Sequence, residues 1–349
     1  MRPEIHSLTS LRFLAAFWVF LFHIDMRWPL GLPRALTHIV KQGPVGMSLF
    51  FILSGFVLAY SFQGQSLRGY AWNRFTRIYP VYTLAALLTL PFIGGRAGDV
   101  SAAQVAVLLF THVLMLQAWF VPLNAYWNFG ASWSLSVEAF FYALFPFAFR
   151  LIERLRGKDM AAFMAVAYVL SVLPGVVWLL FQSQNFYYSV PIFRLPEFLL
   201  GVAFAVLHLR GFRFRSPRVV AACSVAVLLV FLAWVGRWKG IGVTSNVVAV
   251  PAIALLIAAL AQMPGALRWR PFQVLGRISY AFYAMQPLVL LPLIARQKGQ
   301  PPFDAATVLL GAFVVLLAIS VITYYLVEEP VRRSLRAGGL QWPWRMAAR

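Results

Sequence analysis

This sequence predicts an all-α integral membrane bundle, and three observations carry that expectation. Of the 349 residues, 61% are hydrophobic and only 11% charged, against about 25% charged in an ordinary soluble domain. Apolar runs close to the ~20 residues needed to cross a bilayer recur along the whole length. The remaining charge is mostly Lys and Arg, gathered in short stretches between those runs, where basic residues orient helices.

The runs are taken in chain order. Run 8–24 holds Arg12 and His23 and lacks a small-x-small cleavage site, so it reads as a retained span rather than a signal peptide. Run 44–62 carries Gly46 and Gly55, and run 78–94 follows the basic element Arg74-Phe75-Thr76-Arg77-Ile78-Tyr79-Pro80, which reads as a cytoplasmic connection with Arg68 upstream. Run 103–121 contains His112 and leads into an uncharged stretch, 122–132. Run 133–152 opens on Ser132-Trp133-Ser134-Leu135-Ser136-Val137-Glu138, in which Ser132 or Ser134 could cap the helix. Run 160–181 is uniformly apolar, run 191–207 bears Arg194 and Glu197 at i and i+3, and run 219–235 encloses Cys223, read as a small core residue. Runs 243–262, 274–294 and 305–327 complete the series. Gly55, Gly201 and Gly276 read as points of close helix approach.

The chain thus reads as one membrane domain over 1–335 with a short basic tail, 336–349. A net charge of +20 would suggest nucleic acid in a soluble protein; in loops between spans it serves orientation, so no nucleic-acid partner is expected. The five scattered histidines and single cysteine give no metal spacing, and no Walker loop, GxSxG elbow or dinucleotide fingerprint occurs.

The number of crossings is tied on charge. Eleven crossings with the N-terminus outside divide the basic residues between the two sides as ten crossings with both termini inside do. Buried polar residues break the tie, since ionisable groups in a bilayer gather where function needs them. Ten crossings place His23 and Glu138 toward the same outer side, together with the start of the Arg194–Glu197 helix. Run 103–121 then becomes a re-entrant or interfacial helix.

Chemistry is read from those polar residues. Arg12 and His23 are eleven residues apart, about 20° from three full turns, and share one helix face. Arg12 could snorkel to the inner surface, and His23 could simply sit at an interface. As a catalyst, His23 would take a proton from an attacking hydroxyl. Glu138, with Tyr142 four residues on, is either half of a helix-pinning ion pair or a carboxylate that orients His23. Arg68, Arg74 and Arg77 are either ordinary positive-inside charge or a guanidinium clamp for phosphates. Arg194 and Glu197 read as a structural pair, with acceptor binding as the alternative.

Taken together, LTSLRFLAAFWVFLFH (8–23), GMSLFFILSG (46–55), RFTRIYP (74–80), WSLSVEAFFYALFP (133–146), FRLPEFLLG (193–201), ISYAFYAMQP (278–287) and VEEP (327–330) resemble the acyltransferase 3 family of membrane O-acyltransferases, nearly end to end. The resemblance implies ten helices with cytoplasmic termini and acetyl-coenzyme A as the acyl donor. It implies a sugar hydroxyl of an exopolysaccharide, lipopolysaccharide, peptidoglycan, secreted glycolipid or lipid-linked sugar as acceptor, in a bacterial inner membrane. It further implies that Arg12 and His23 are essential, that Arg74 and Arg77 engage coenzyme A, and that Glu138 matches the family glutamate. Where many members have histidine before the last-quoted proline of helix ten, this chain has Gln286. Many members also carry a fused esterase-like domain, so a second transfer step is expected to need another protein. The mechanism that follows is direct transfer, with the donor arm passing Arg12 and with Trp133, Ser134, Tyr283 and Gln286 lining the acceptor site; an acyl-His23 intermediate is the variant. The rival class is a transporter or flippase, whose buried charges would mark a path instead.

Overall fold

The computed structural model describes residues 3–62, 64, 66–94, 100–127, 132–181, 186–236, 245–263, 265–296 and 304–336. Among them the regular structure is helical throughout. The helices are α1 His6–Asp25, α2 Arg34–Lys41, α3 Val45–Ser61, α4 Leu67–Thr89, α5 Ala102–Val113, α6 Ser132–Ile152 and α7 Gly157–Phe181. They continue with α8 Phe186–Ser189, α9 Pro191–Leu209, α10 Pro217–Val235, α11 Asn246–Leu260, α12 Arg270–Arg296, α13 Ala305–Thr323 and α14 Glu329–Arg336, the last two joined by a π-turn, Tyr324–Glu328. Most of the expected tail, 337–349, lies outside the described residues.

Two expectations are corrected, and the helix expected near 103–121 is short, as a re-entrant or interfacial helix would be. The basic element 74–80 is not a connection: α4 begins at Leu67, where Ser66 Oγ accepts the Gly69 N–H at 3.1 Å, and it carries Pro80 within it. Arg68, Arg74 and Arg77 therefore sit on a helix. Run 103–121 does not form one helix. Its α5 starts on a Ser101–Gln104 capping box and stops at Val113, with Met115 in the left-handed region at φ 54°. Twelve residues reach about 18 Å, short of the ~30 Å hydrocarbon thickness. Cys223 is exposed rather than a core residue, because the outer face of α10 is as apolar as its inner one.

Among the described residues seven helices (α1, α6, α7, α9, α10, α12 and α13) are long and apolar enough to cross a membrane. The number is eight if α2 and α3, bent by 52°, form one broken span. The three most apolar, α7, α10 and α13, are also the least enclosed; Leu180 and Val230 are 70% exposed and Leu310 65%. Apolar side chains turned outward on the most apolar helices require an apolar surrounding medium. The chain is a multi-pass membrane protein.

By its internal packing the chain divides into two compact units, 1–63 with 143–277 and 64–142 with 278–349. In the first, α3 crosses α9 at two glycines: a Cβ on Gly201 would lie 1.9 Å from the Ile52 carbonyl oxygen, and one on Gly55 would lie 2.1 Å from that of Phe198. A Cβ on Gly276 would lie 2.3 Å from the Thr9 carbonyl oxygen. Side chains staple the same unit: Ser7 Oγ donates to Leu260 O at 2.9 Å, Ser10 Oγ to Leu267 O at 3.0 Å, and Trp18 Nε1 to Ile39 O at 2.9 Å. In the second unit the π-turn and α14 pack against α4, and Trp72 Nε1 donates to Leu335 O at 2.9 Å.

Candidate active site

The second unit carries most of the residues singled out by chemistry. Arg74 lies in the third turn of α4, and its guanidinium stands over the Tyr142 ring at 5.8 Å. Its charged and phenolic surroundings are Tyr142, Arg77, Tyr70 and Glu138. The Arg74 Nε is buried and meets no hydrogen-bond acceptor among the described residues. Glu138 follows two turns into α6, half-buried, and accepts a long hydrogen bond from Tyr142 Oη at 3.5 Å. Tyr70 Oη donates to the Tyr142 carbonyl at 3.0 Å, tying α4 to α6 at this level. The expected phosphate clamp and the expected carboxylate thus share one neighbourhood, although the sequence assigned them to opposite sides of the bilayer. Arg77, at i+3 from Arg74, is half-buried, whereas Arg68 is exposed.

Further along the same unit Ser134 and Tyr283 share a hydrogen bond of 2.9 Å between their hydroxyls, and both are buried. That bond engages the Ser134 side chain away from any capping role. Trp133 is buried on α6, and Gln286, three residues after Tyr283, is 1% exposed. Helical spacing puts Tyr280, Tyr283 and Gln286 along one side of α12. Tyr280 Oη donates to the Ile78 carbonyl at 2.7 Å, and its charged surroundings are Glu328, Glu138, Tyr142 and Arg77.

Around Gln117 and Trp127 the described residues before α6 are held by buried polar side chains. Gln117, fully buried, donates from Nε2 to Tyr82 Oη at 3.1 Å and to Ser132 O at 2.6 Å. Tyr82 Oη donates to His112 O at 2.9 Å, and Ser136 Oγ donates to Met115 O at 2.5 Å. The His112 ring lies 4.4 Å from that of Trp127, whose Nε1 donates to Thr89 Oγ1 at 3.3 Å. Irregular backbone in an apolar medium has to satisfy its polar groups within the protein, and these polar side chains do so.

The first unit holds the remaining residues. Arg12 and His23 lie on the single continuous helix α1, both half-buried, with His23 in its last turn and 5.4 Å from the Phe22 ring. Arg194 and Glu197 are joined at 3.0 Å, with both side chains at 0% exposure. Arg194 Nη2 donates to Ser48 Oγ at 3.0 Å, and its guanidinium faces the Phe51 and Tyr188 rings at 5.2 and 5.3 Å. Asn246 Nδ2 donates to Glu197 Oε1 at 2.9 Å and to Ser171 O at 2.8 Å. One buried pair therefore ties α9 to α3, α7 and α11.

Sequence reasoning did not assign a role to Tyr70, Gln117, Tyr280 or Glu328. Tyr280 and Glu328 stand inside the quoted ISYAFYAMQP and VEEP segments, so the available signal was a motif without a chemistry. Tyr70 and Gln117 offered no signal, because their partners are backbone carbonyls and a phenol distant in sequence.

A family model described as an acyltransferase domain, of acyltransferase type 3, matches residues 5–325. The acyltransferase MdmB of Streptomyces mycarofaciens is 31% identical over 310 residues, 82% of this chain and 79% of that protein. The peptidoglycan O-acetyltransferase OatA of Listeria monocytogenes is 22% identical over 95% of this chain and 56% of its own length. The O-acetyltransferase OatA of Staphylococcus aureus is 22% identical over 94% of this chain and 57% of its own. The chain spans little more than half the length of those two O-acetyltransferases. No solved structure matches.

Proposed function

The chain belongs to the acyltransferase 3 family, and from that premise we propose that it transfers an acetyl group from acetyl-coenzyme A to a hydroxyl of a bacterial surface glycan or lipid-linked sugar. The observation that carries the donor assignment is the α4 arginine pair. Arg74 presents a buried Nε with no acceptor among the described residues, and Arg77 follows one turn later. Two guanidinium forks at this spacing suit the phosphates of coenzyme A, which would supply an activated thioester. A donor that enters from the cytoplasm also favours ten crossings with both termini inside, in a bacterial inner membrane.

His23 acts as general base: its imidazole takes the proton of the acceptor hydroxyl as that oxygen attacks the thioester carbonyl, and the C–S bond then breaks to release the coenzyme A thiolate, which receives that proton and leaves as the thiol. Glu138 acts as the carboxylate of the reaction and Arg12 as a fixed cation. Arg68, exposed at the start of α4, adds attraction for the anionic donor. Trp133, the Ser134–Tyr283 hydroxyl pair and Gln286 offer a ring face and polar groups to a sugar. The names of the O-acetyltransferase relatives support acetyl as the group and a glycan as the acceptor. Arg194 and Glu197, fully enclosed and held by each other, Ser48 and Asn246, serve the architecture rather than the acceptor.

The test is consumption of radiolabelled acetyl-coenzyme A by the purified full chain, wild type against His23→Ala and Arg74→Ala. His23→Ala is expected to lose at least about a hundredfold in rate, and Arg74→Ala to lose donor affinity. Equal turnover by all three proteins would sink the assignment.

A further inference from the structure

The VEEP segment holds two consecutive glutamates that the structure treats in opposite ways. Glu329 pairs along its own helix with Arg332 and, at 2.6 Å, with the Nε of Arg333, which is two-thirds exposed. Glu328, one residue earlier, is 2% exposed. Consecutive residues on a helix point about 100° apart, and Glu328 closes the π-turn Tyr324–Glu328 between α13 and α14. A π-turn places more residues in a turn than an α-helix does and so rotates the following side chains; such turns recur at functional sites. Burying a carboxylate is costly unless charge or hydrogen bonds compensate it. A helix made only to cross the membrane gains nothing from that cost.

The surroundings of Glu328 indicate its use. The π-turn packs on α4, the helix of Arg74 and Arg77. Tyr280 is tied to the same helix: its hydroxyl donates to the carbonyl of Ile78, the residue after Arg77, at 2.7 Å. Its charged surroundings include Glu328, Glu138 and Arg77. The π-turn that buries Glu328 and the phenol of Tyr280 therefore both meet α4, the phenol at the residue next to Arg77.

We propose that Glu328, acting across Tyr280, is a positioning residue that holds Arg77 in place to receive the phosphates of the acyl donor. This rests on the donor reading of the α4 arginines given above. The carboxylate opposes the positive charge of Arg77, and the Tyr280 hydroxyl fixes the α4 backbone at the same level, so the guanidinium is pre-ordered before donor arrives. Glu329 has no part in it.

The experiment measures the Kd of acetyl-coenzyme A for the full chain in nanodiscs, alongside the thermal unfolding midpoint. Glu328→Gln is expected to weaken binding about five- to tenfold, roughly 1–1.4 kcal/mol, and Glu328→Asp to recover most of that loss. Glu329→Gln is expected to bind as wild type does. Arg77→Ala separates the two readings. If Arg77→Ala weakens binding and Glu328→Gln does not, the positioning role is wrong and the donor site stands. If neither changes the Kd, both readings fall. Should Glu328→Gln not fold, Tyr280→Phe decides: weaker binding supports the chain from Glu328 to Arg77, and an unchanged Kd overturns it.

Discussion

At Arg74 the guanidinium lies over Tyr142, near Glu138, with its Nε buried and without an acceptor among the described residues. A lysine there keeps the charge but loses the planar fork and the stacking face. Arg74→Lys is therefore expected to bind acetyl-coenzyme A at least about fivefold more weakly than wild type, read from the same Kd measurement. The Arg194–Glu197 pair makes a different prediction. With both side chains enclosed, Arg194→Leu strands a carboxylate in an apolar interior and should cost about 3–5 kcal/mol. The double variant Arg194→Leu/Glu197→Leu removes both charges and should unfold at a higher temperature than Arg194→Leu alone. If the two losses simply add, the pair is not the structural unit described here.

Helix packing supplies the next scale. α3 and α9 approach until backbone meets backbone at Gly55 and Gly201, leaving no room for a methyl group at either. Gly201→Ala should force the helices apart and destabilise the protein by about 1–3 kcal/mol. A Cβ at Gly311 on α13 meets nothing within 4 Å, so Gly311→Ala should leave the unfolding midpoint close to wild type or raise it. At the start of α13, Asp304 Oδ1 accepts the Thr307 N–H at 2.9 Å and Oδ2 accepts the Thr307 hydroxyl at 2.6 Å. These bonds, that from the hydroxyl foremost, hold the carboxyl below its ordinary range. The lowered folded value means the cap contributes fully above the unfolded carboxylate range of about 4. Its contribution is lost as pH falls through the lower folded value. Wild type and Asp304→Asn should therefore differ most in unfolding midpoint near neutrality and converge in acid.

At the scale of the whole molecule the decisive quantity is topology. Ten crossings with cytoplasmic termini require the exposed turn at Ser66 to face the cytoplasm. A single cysteine at Ser66 in a Cys223→Ser background should react with a membrane-permeant maleimide and resist an impermeant one. Labelling from outside would overturn the ten-crossing arrangement. Membrane residence and the order of the helices were legible in the sequence, because a crossing helix is a local property: ~20 apolar residues satisfy their own backbone without help from the rest of the chain. The glycines of α3 and α9 were legible for the same reason, since a residue without a side chain announces close approach wherever it sits in a helix. The start of α4 was misread because Arg68, Arg74 and Arg77 looked like a loop, while the Ser66 cap and the packing of α14 make them helical. The Glu138–Tyr142 contact was legible from its i, i+4 spacing; the meeting of Arg74 with Tyr142, of Tyr280 with α4 and the burial of Glu328 were not. They depend on which faces of α4, α6, α12 and the π-turn meet, and charge counting assigns residues to sides of a bilayer, not to neighbours within it. By itself the sequence determined a polytopic α-helical membrane protein of acyltransferase 3 type; only the tertiary structure decided which of its buried charges meet, because that is a property of packing between segments remote along the chain.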